Sequence, residues 1–316
     1  MNIHAVATPH TGCVLCHLRT RRRFTALLAG GAVAAAWPHA ALSQQAPPAG
    51  VRDDVGKNSR LARLVPADWL EGQAAQQYQG MMQAASQQRL LLGPQDRQVQ
   101  RLRAIAQRIV PHAPPWNSRA TKWAWEVNLL NQPTLNAFCM PGGKIAFYMG
   151  ILRQLQLSDD EVASIMGHEV AHALREHARE RLAKSTATRT GAGLLAEVFG
   201  LGGLARGALS ASVNLLELSF SRDDETEADL VGMDLSARAG YNPSAGVTLW
   251  QKMMGATAGG PGGQTQASNR RSPAEFLSTH PAGATRIKDI QSKLPKVQPL
   301  YARAAKPGQN YGPPPA

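Results

Sequence analysis

Cysteine is scarce, with three in 316 residues, and two of them, Cys13 and Cys16, sit close to the N-terminus. Cys139 stands alone in the rest of the chain, so no disulfide framework can form within it. Aromatic residues make up only 5%. The basic residues are scattered, without the aromatic-interleaved stripe that single-stranded nucleic acid needs, so nucleic acid is not an expected partner. No internal repeat is present. The one leader-like apolar run, from Thr25 to Trp37, is too short for a confident membrane span.

The hydrophobic content of 43% is ordinary for a soluble protein, and the formal net charge is +12. Four arginines of that excess, at positions 19, 21, 22 and 23, belong to the leader. What remains fits a modest attraction to anionic membrane surfaces, a peripheral contact. Residues 1–43 are expected to be an export signal. Arg21-Arg22-Arg23-Phe24 precedes the apolar run, and Ala41-Leu42-Ser43 offers small residues for cleavage. The paired arginines followed by Phe resemble a twin-arginine signal, with ordinary secretory export or an uncleaved anchor as alternatives. A periplasmic location follows as the expectation. Cys13-x-x-Cys16-His17 matches a haem-attachment pattern but precedes the signal, and it is read as coincidence.

Residues 44–66 read as a Pro-, Gly- and charge-rich linker, 67–298 as a folded domain, and 299–316 as a disordered Pro-rich tail. Helical apolar spacing runs from Ala67 to Leu92 and from Gln95 to Val110. Short strands are expected near Lys122–Leu129, at Asn136–Met140 and at Lys144–Tyr148, with Pro141-Gly142-Gly143 as punctuation. Ser158 and Glu161 form a capping-box start for a helix running to about Lys184. A glycine-rich stretch spans 190–220, a further helix runs from about Asp223 to Ala239, and a loop occupies 255–272. The expected fold is α+β, mainly helical, with a small sheet beside the helix that carries the chemistry.

That chemistry starts at His168-Glu169-x-x-His172, the H-E-x-x-H pattern. Histidines four apart project from one helix face and reach one zinc ion per chain, while Glu169 stands beside them as a general base. A metzincin would continue with glycine and a third histidine, but those places hold Arg175 and Ala178. His177 is out of register and reads as a surface residue. The third ligand therefore comes from elsewhere. In Glu225-x-Glu227-x-Asp229 the first and last residues share a helix face, whereas Glu227 is turned away. Glu225 fits as a metal ligand and Asp229 as the group orienting a ligand histidine through its other nitrogen.

Taken with Asn136-Ala137-Phe138, Pro141-Gly142-Gly143, Ser221-Arg222, Gly232 and His280-Pro281 followed by Arg286, these motifs resemble the HtpX/CAAX-prenyl-protease family of gluzincin zinc metallopeptidases. The similarity covers roughly residues 75–295 and is strongest to the family's soluble periplasmic, BepA-like members. The resemblance implies a zinc metalloendopeptidase with His168, His172 and Glu225 as ligands and Asp229 behind them. It also implies that His280 and Arg286 face the cleft, near an oxyanion or as a switchable extra ligand. Polypeptides, including outer-membrane protein assembly intermediates, are the implied partners, cleaved in a quality-control role. The helical repeats of BepA-like members and the several membrane spans of other branches are not seen in this sequence. The expected substrate platform is an edge strand at Lys144–Tyr148. A metal-stabilised chaperone with latent protease activity is the alternative.

Overall fold

The computed structural model describes residues 49–190, 214–257, 275–280 and 284–315, which belong to one compact unit beginning at Pro47. Residues 1–43, expected to be an export leader and holding the Cys13–His17 pattern, lie outside the described residues, as do most of the glycine-rich stretch, most of the loop near 265 and Pro281. Helix α1 (Ala67–Gln87) turns Leu70, Ala74, Tyr78, Met82 and Ala85 inward, close to the four-residue repeat of a helix face. Helix α2 (Arg97–Ile109) starts on Asp96, whose carboxylate accepts from the backbone N–H groups of Gln98 and Val99. Between them lie β1 (Glu126–Leu130), β2 (Ala137–Met140) and β3 (Lys144–Tyr148). The fold is thus mainly helical with one small sheet, as the sequence led us to expect.

The sheet order is β1-β3-β2, with β1 parallel and β2 antiparallel to β3. Alternation along the strands sorts side chains into two cores. Ile145, Phe147 and Cys139 join the larger core with α2, while Ala146, Tyr148, Phe138 and Met140 join Tyr78 and the α1 face. The Tyr78 hydroxyl donates to the Ile145 carbonyl at 2.6 Å, pinning α1 to the sheet. This order corrects one expectation. Lys144–Tyr148 is the central strand, paired on both sides, so it has no free edge for a substrate. Burial of both its faces reads as an apolar run and says nothing about edge position. Among the described residues β1 is paired on its outer side only by Leu90–Leu92 near its end, and β2 has no backbone partner beyond β3.

Short helix α3 (Met149–Gln154) leads to α4 (Asp159–Leu174), which opens with the Ser158–Glu161 capping box and is buried along nearly its whole length. The helix does not continue to Lys184. Glu176 takes a left-handed conformation, φ 60°, and α5 (His177–Thr190) starts in a new direction. Helix α6 (Arg222–Arg238) also opens with a capping box, Ser221 with Asp224. It crosses α4 at Gly167 and Gly232. A Cβ on Gly232 would lie 2.6 Å from the His168 backbone nitrogen, and one on Gly167 2.6 Å from the Gly232 carbonyl. Only hydrogen at these positions allows the two backbones to touch, and that contact brings Glu225 and Asp229 to the histidines. Helices α7 (Ala245–Thr257), α8 (Glu275–Thr279) and α9 (Ala284–Arg303) complete the described elements.

The described parts of the expected linker and tail are packed rather than loose. In the linker, Val51 and Val65 are fully buried, and Lys293 and Lys296 both bind Asp54. In the tail, Leu300 is buried within α9. The N–H groups of Tyr311 and Gly312 then donate to Asp159 at the start of α4, and the Arg97 guanidinium donates to the Tyr311 carbonyl. Pro- and Gly-rich composition suggests looseness, but backbone hydrogen bonds to a buried carboxylate hold such a segment equally well. No helix among the described residues is long and apolar enough to cross a membrane.

Candidate metal centre

Residues His168, Glu169 and His172 lie in the buried middle of α4, and Glu225 and Asp229 lie on the facing side of α6. His280 follows α8, and Arg286 is on α9. His168 Nε2 and His172 Nε2 approach to 3.0 Å. Glu225 places Oε2 3.5 Å from the first and Oε1 3.4 Å from the second. His280 Nδ1 stands 2.9 Å from Glu225 Oε1 and 3.3 Å from His168 Nε2. Ligand atoms of His168, His172, Glu225 and His280 all lie within 4.8 Å of one another, and all four residues are buried.

The surroundings prescribe a cation at the centre. His168 Nδ1 donates to Asp229 Oδ1 at 3.0 Å, which turns Nε2 toward His172. Arg286 grips Asp229 through Nε and Nη2, each at 2.7 Å, and lies 2.6 Å from Glu225 Oε2 through Nη1. Its guanidinium sits 3.7 Å above the Trp250 ring. Without a metal, burial lowers the His168 pKa, but hydrogen bonds to Asp229 and Glu225 outweigh it and raise the pKa to about 9. Burial likewise works against the Glu225 carboxylate, yet the three histidines hold its pKa well below the ordinary range. His172 goes the other way, pushed far down by burial and by its neighbours His168 and His177. The cluster therefore favours positive charge at one point, the point on which two imidazole nitrogens and a carboxylate converge. Nitrogen and oxygen donors at such spacing fit zinc.

Glu169 stands beside this point. Its Oε1 is buried without a hydrogen-bond partner and lies 3.6 Å from His280 Nε2, and burial raises its pKa. A cleft opens here, lined by β2, Glu169, His172, Phe220 and His280.

Every residue singled out from the sequence is thus brought together, although Arg286 is engaged by two carboxylates and does not point freely into the cleft. One residue was misread. His177 is buried, not on the surface, and its Nδ1 lies 2.9 Å from His172 Nδ1. Its Nε2 donates to Glu227 Oε2 at 2.8 Å, and Arg175 donates to Oε1 of the same carboxylate. On an unbroken helix His177 would turn well away from His172, and the turn at Glu176 brings it back. Phe220, stacked on His172 with ring centroids 4.1 Å apart, also went unnoticed. The five-residue spacing from His172 to His177 was the available signal, legible only to a reading that broke the helix.

Comparison with known proteins agrees with this geometry. Residues 96–294 match the family model described as Peptidase family M48. The chain is 37% identical over 174 residues to the mitochondrial metalloendopeptidase OMA1 of Schizosaccharomyces pombe, covering 55% of this chain and 48% of that protein. It is 38% identical over 165 residues to the OMA1 of Arabidopsis thaliana, 52% of this chain and 30% of that one. To the beta-barrel assembly-enhancing protease of Escherichia coli it is 24% identical over 214 residues, 65% of this chain and 41% of that protein. The matches thus span half or less of these curated relatives. They also correct the expected periplasmic location, because the relatives at 37 and 38% identity are mitochondrial by name. The matches show the family without singling out the expected HtpX/prenyl-protease branch.

Proposed function

We propose that this chain, which belongs to Peptidase family M48, is a zinc-dependent metalloendopeptidase. The observation that carries the reading is the convergence of His168, His172 and Glu225 beside a buried, unpartnered Glu169 oxygen at the floor of a cleft. His168, His172 and Glu225 would hold the ion. When bound, zinc supplies Lewis-acid polarisation of a carbonyl and lowers the pKa of water toward about 7. Glu169 takes a proton from the attacking water and passes it to the leaving amine. Its raised pKa suits the first half of that exchange, since a more basic carboxylate takes the proton more readily. His280, which faces Glu169 through Nε2, stands where a group stabilising a developing oxyanion would be placed. Arg286 holds Asp229 and Glu225 in place rather than meeting substrate.

Substrate lies extended along the open edge of β2, the strand that lines the cleft. Such pairing reads backbone more than side chain, which suits unfolded or unassembled polypeptides, and the name of the E. coli relative supports proteins on a β-barrel assembly route. Glu169→Gln should keep zinc while peptide hydrolysis falls by at least about 100-fold. Undiminished cleavage of an unfolded polypeptide by that variant would remove the assignment.

A second reading is favoured by His280, which is one of the four grouped residues that could hold a metal ion and places Nδ1 3.3 Å from His168 Nε2. With four protein ligands the centre would be closed, as in a latent enzyme or a metal-stabilised binding protein. Replacing His280 by Ala separates the two: a rise in hydrolysis supports a latch, and a fall supports the oxyanion role.

A further inference from the structure

We propose that His177 is a positioning residue for the metal centre, fixing through His172 the nitrogen that faces the ion, with Glu227 and Arg175 as its support. The proposal rests on the zinc reading above and concerns residues to which the motif pattern gave no role.

The hydrogen-bond directions follow from one fixed end. A carboxylate only accepts, so the His177 Nε2 that faces Glu227 Oε2 at 2.8 Å carries a hydrogen. With His177 neutral, its Nδ1 then offers a lone pair to His172 Nδ1, 2.9 Å away. His172 must therefore carry its hydrogen on Nδ1, which leaves the lone pair on Nε2, the nitrogen that meets His168 Nε2 and Glu225 Oε1. The tautomer that can bind a metal is thus set from two residues away.

Orientation is set by the same groups. Phe220 stacks on His172, fixing the plane of the ring, while the bond to His177 fixes which way up the ring lies in that plane. Without that bond the imidazole can turn over about its Cβ–Cγ bond, which puts carbon Cε1 where Nε2 meets the ion. Glu227 itself is held by Arg175 Nη2 at 2.6 Å. The left-handed turn at Glu176 makes the chain possible, because it begins α5 with His177 facing back toward α4.

The test is zinc affinity, measured on metal-free protein by competition with a chromophoric chelator. His177→Ala should weaken zinc binding about 10–100-fold while the melting temperature of the metal-free form stays close to that of the parent. His177→Asn, whose side-chain oxygen can accept from His172 Nδ1, should recover most of the loss. A merely space-filling role would not show that recovery. If His177→Ala does not fold, Glu227→Ala is measured instead, with a smaller loss of affinity expected. Parental affinity in the folded Ala variant, or no recovery in a folded His177→Asn, overturns the proposal. A parent protein that fails to bind zinc overturns the zinc reading itself.

Discussion

The two histidines of α4 are held in different ways. His168 hands its Nδ1 hydrogen to Asp229, which is clamped by Arg286 lying over Trp250, all within the closed interior between α4, α6, α7 and α9. His172 bonds to the ring of His177, and the carboxylate behind that ring, Glu227, is about a quarter exposed. One arm carries a charge directly against the ligand, and the other carries it one ring removed and nearer to solvent. The consequence shows in the opposite displacement of two otherwise equivalent imidazoles, His168 raised to about 9 and His172 far below its ordinary value. A buried carboxylate in contact sets the charge of a ligand, whereas a relayed one sets only its direction.

Breaking each arm at its carboxylate should expose this difference most strongly. Asp229→Ala takes from the buried Arg286 guanidinium the carboxylate to which it makes two hydrogen bonds, and removing one member of such a buried pair costs about 3–5 kcal/mol. Glu227→Ala removes a carboxylate that is about a quarter exposed and leaves room for water beside Arg175 and His177, so the cost is smaller, about 1–3 kcal/mol. Denaturant unfolding of the two metal-free variants reads both values. Equal losses would mean that the arms are energetically alike and that the contrast drawn here is wrong.

Much of the charged arm was legible in the sequence. Glu225 and Asp229 are four apart, and that interval on a helix places them on one face whatever the rest of the fold does. The capping boxes at Ser158 and Ser221 likewise announce helix starts through local chemistry alone. The relayed arm was not legible, because it depends on a left-handed residue, Glu176, that carries no glycine or asparagine to mark it. The same limit hid the central position of β3, since pairing order is a long-range property and both faces of that strand are simply buried. It also hid the docking of the tail, where the decisive groups are backbone N–H donors of Tyr311 and Gly312 and the side chains give no sign.

The smaller and subtler effect is on pH. In metal-free protein the folded chain holds a proton on His168 up to about pH 9, whereas the unfolded chain releases it near 6.5. The folded state therefore binds more protons between those values, and stability falls as pH rises through that window. The contribution is fully present below pH 6.5 and amounts to at most about 3 kcal/mol across the full interval. His172 acts in the opposite sense but only below 6.5, because its folded pKa is depressed. The Cys139 thiol, pushed up by burial, contributes only once an ordinary thiol would ionise, so the interval from pH 6.5 to 8.5 reports mainly on His168. Melting temperatures in chelator should decline over this interval. With zinc bound no proton can occupy the same nitrogen, and the decline should vanish. Asp229→Asn, which removes one of the two carboxylates that raise His168, should make the metal-free slope shallower, while Glu227→Gln on the relayed arm should leave it in place. A metal-free protein whose melting temperature is level or rising from pH 6.5 to 8.5 would show that Asp229 does not govern the charge of His168, and with it the asymmetry of the two arms would fall.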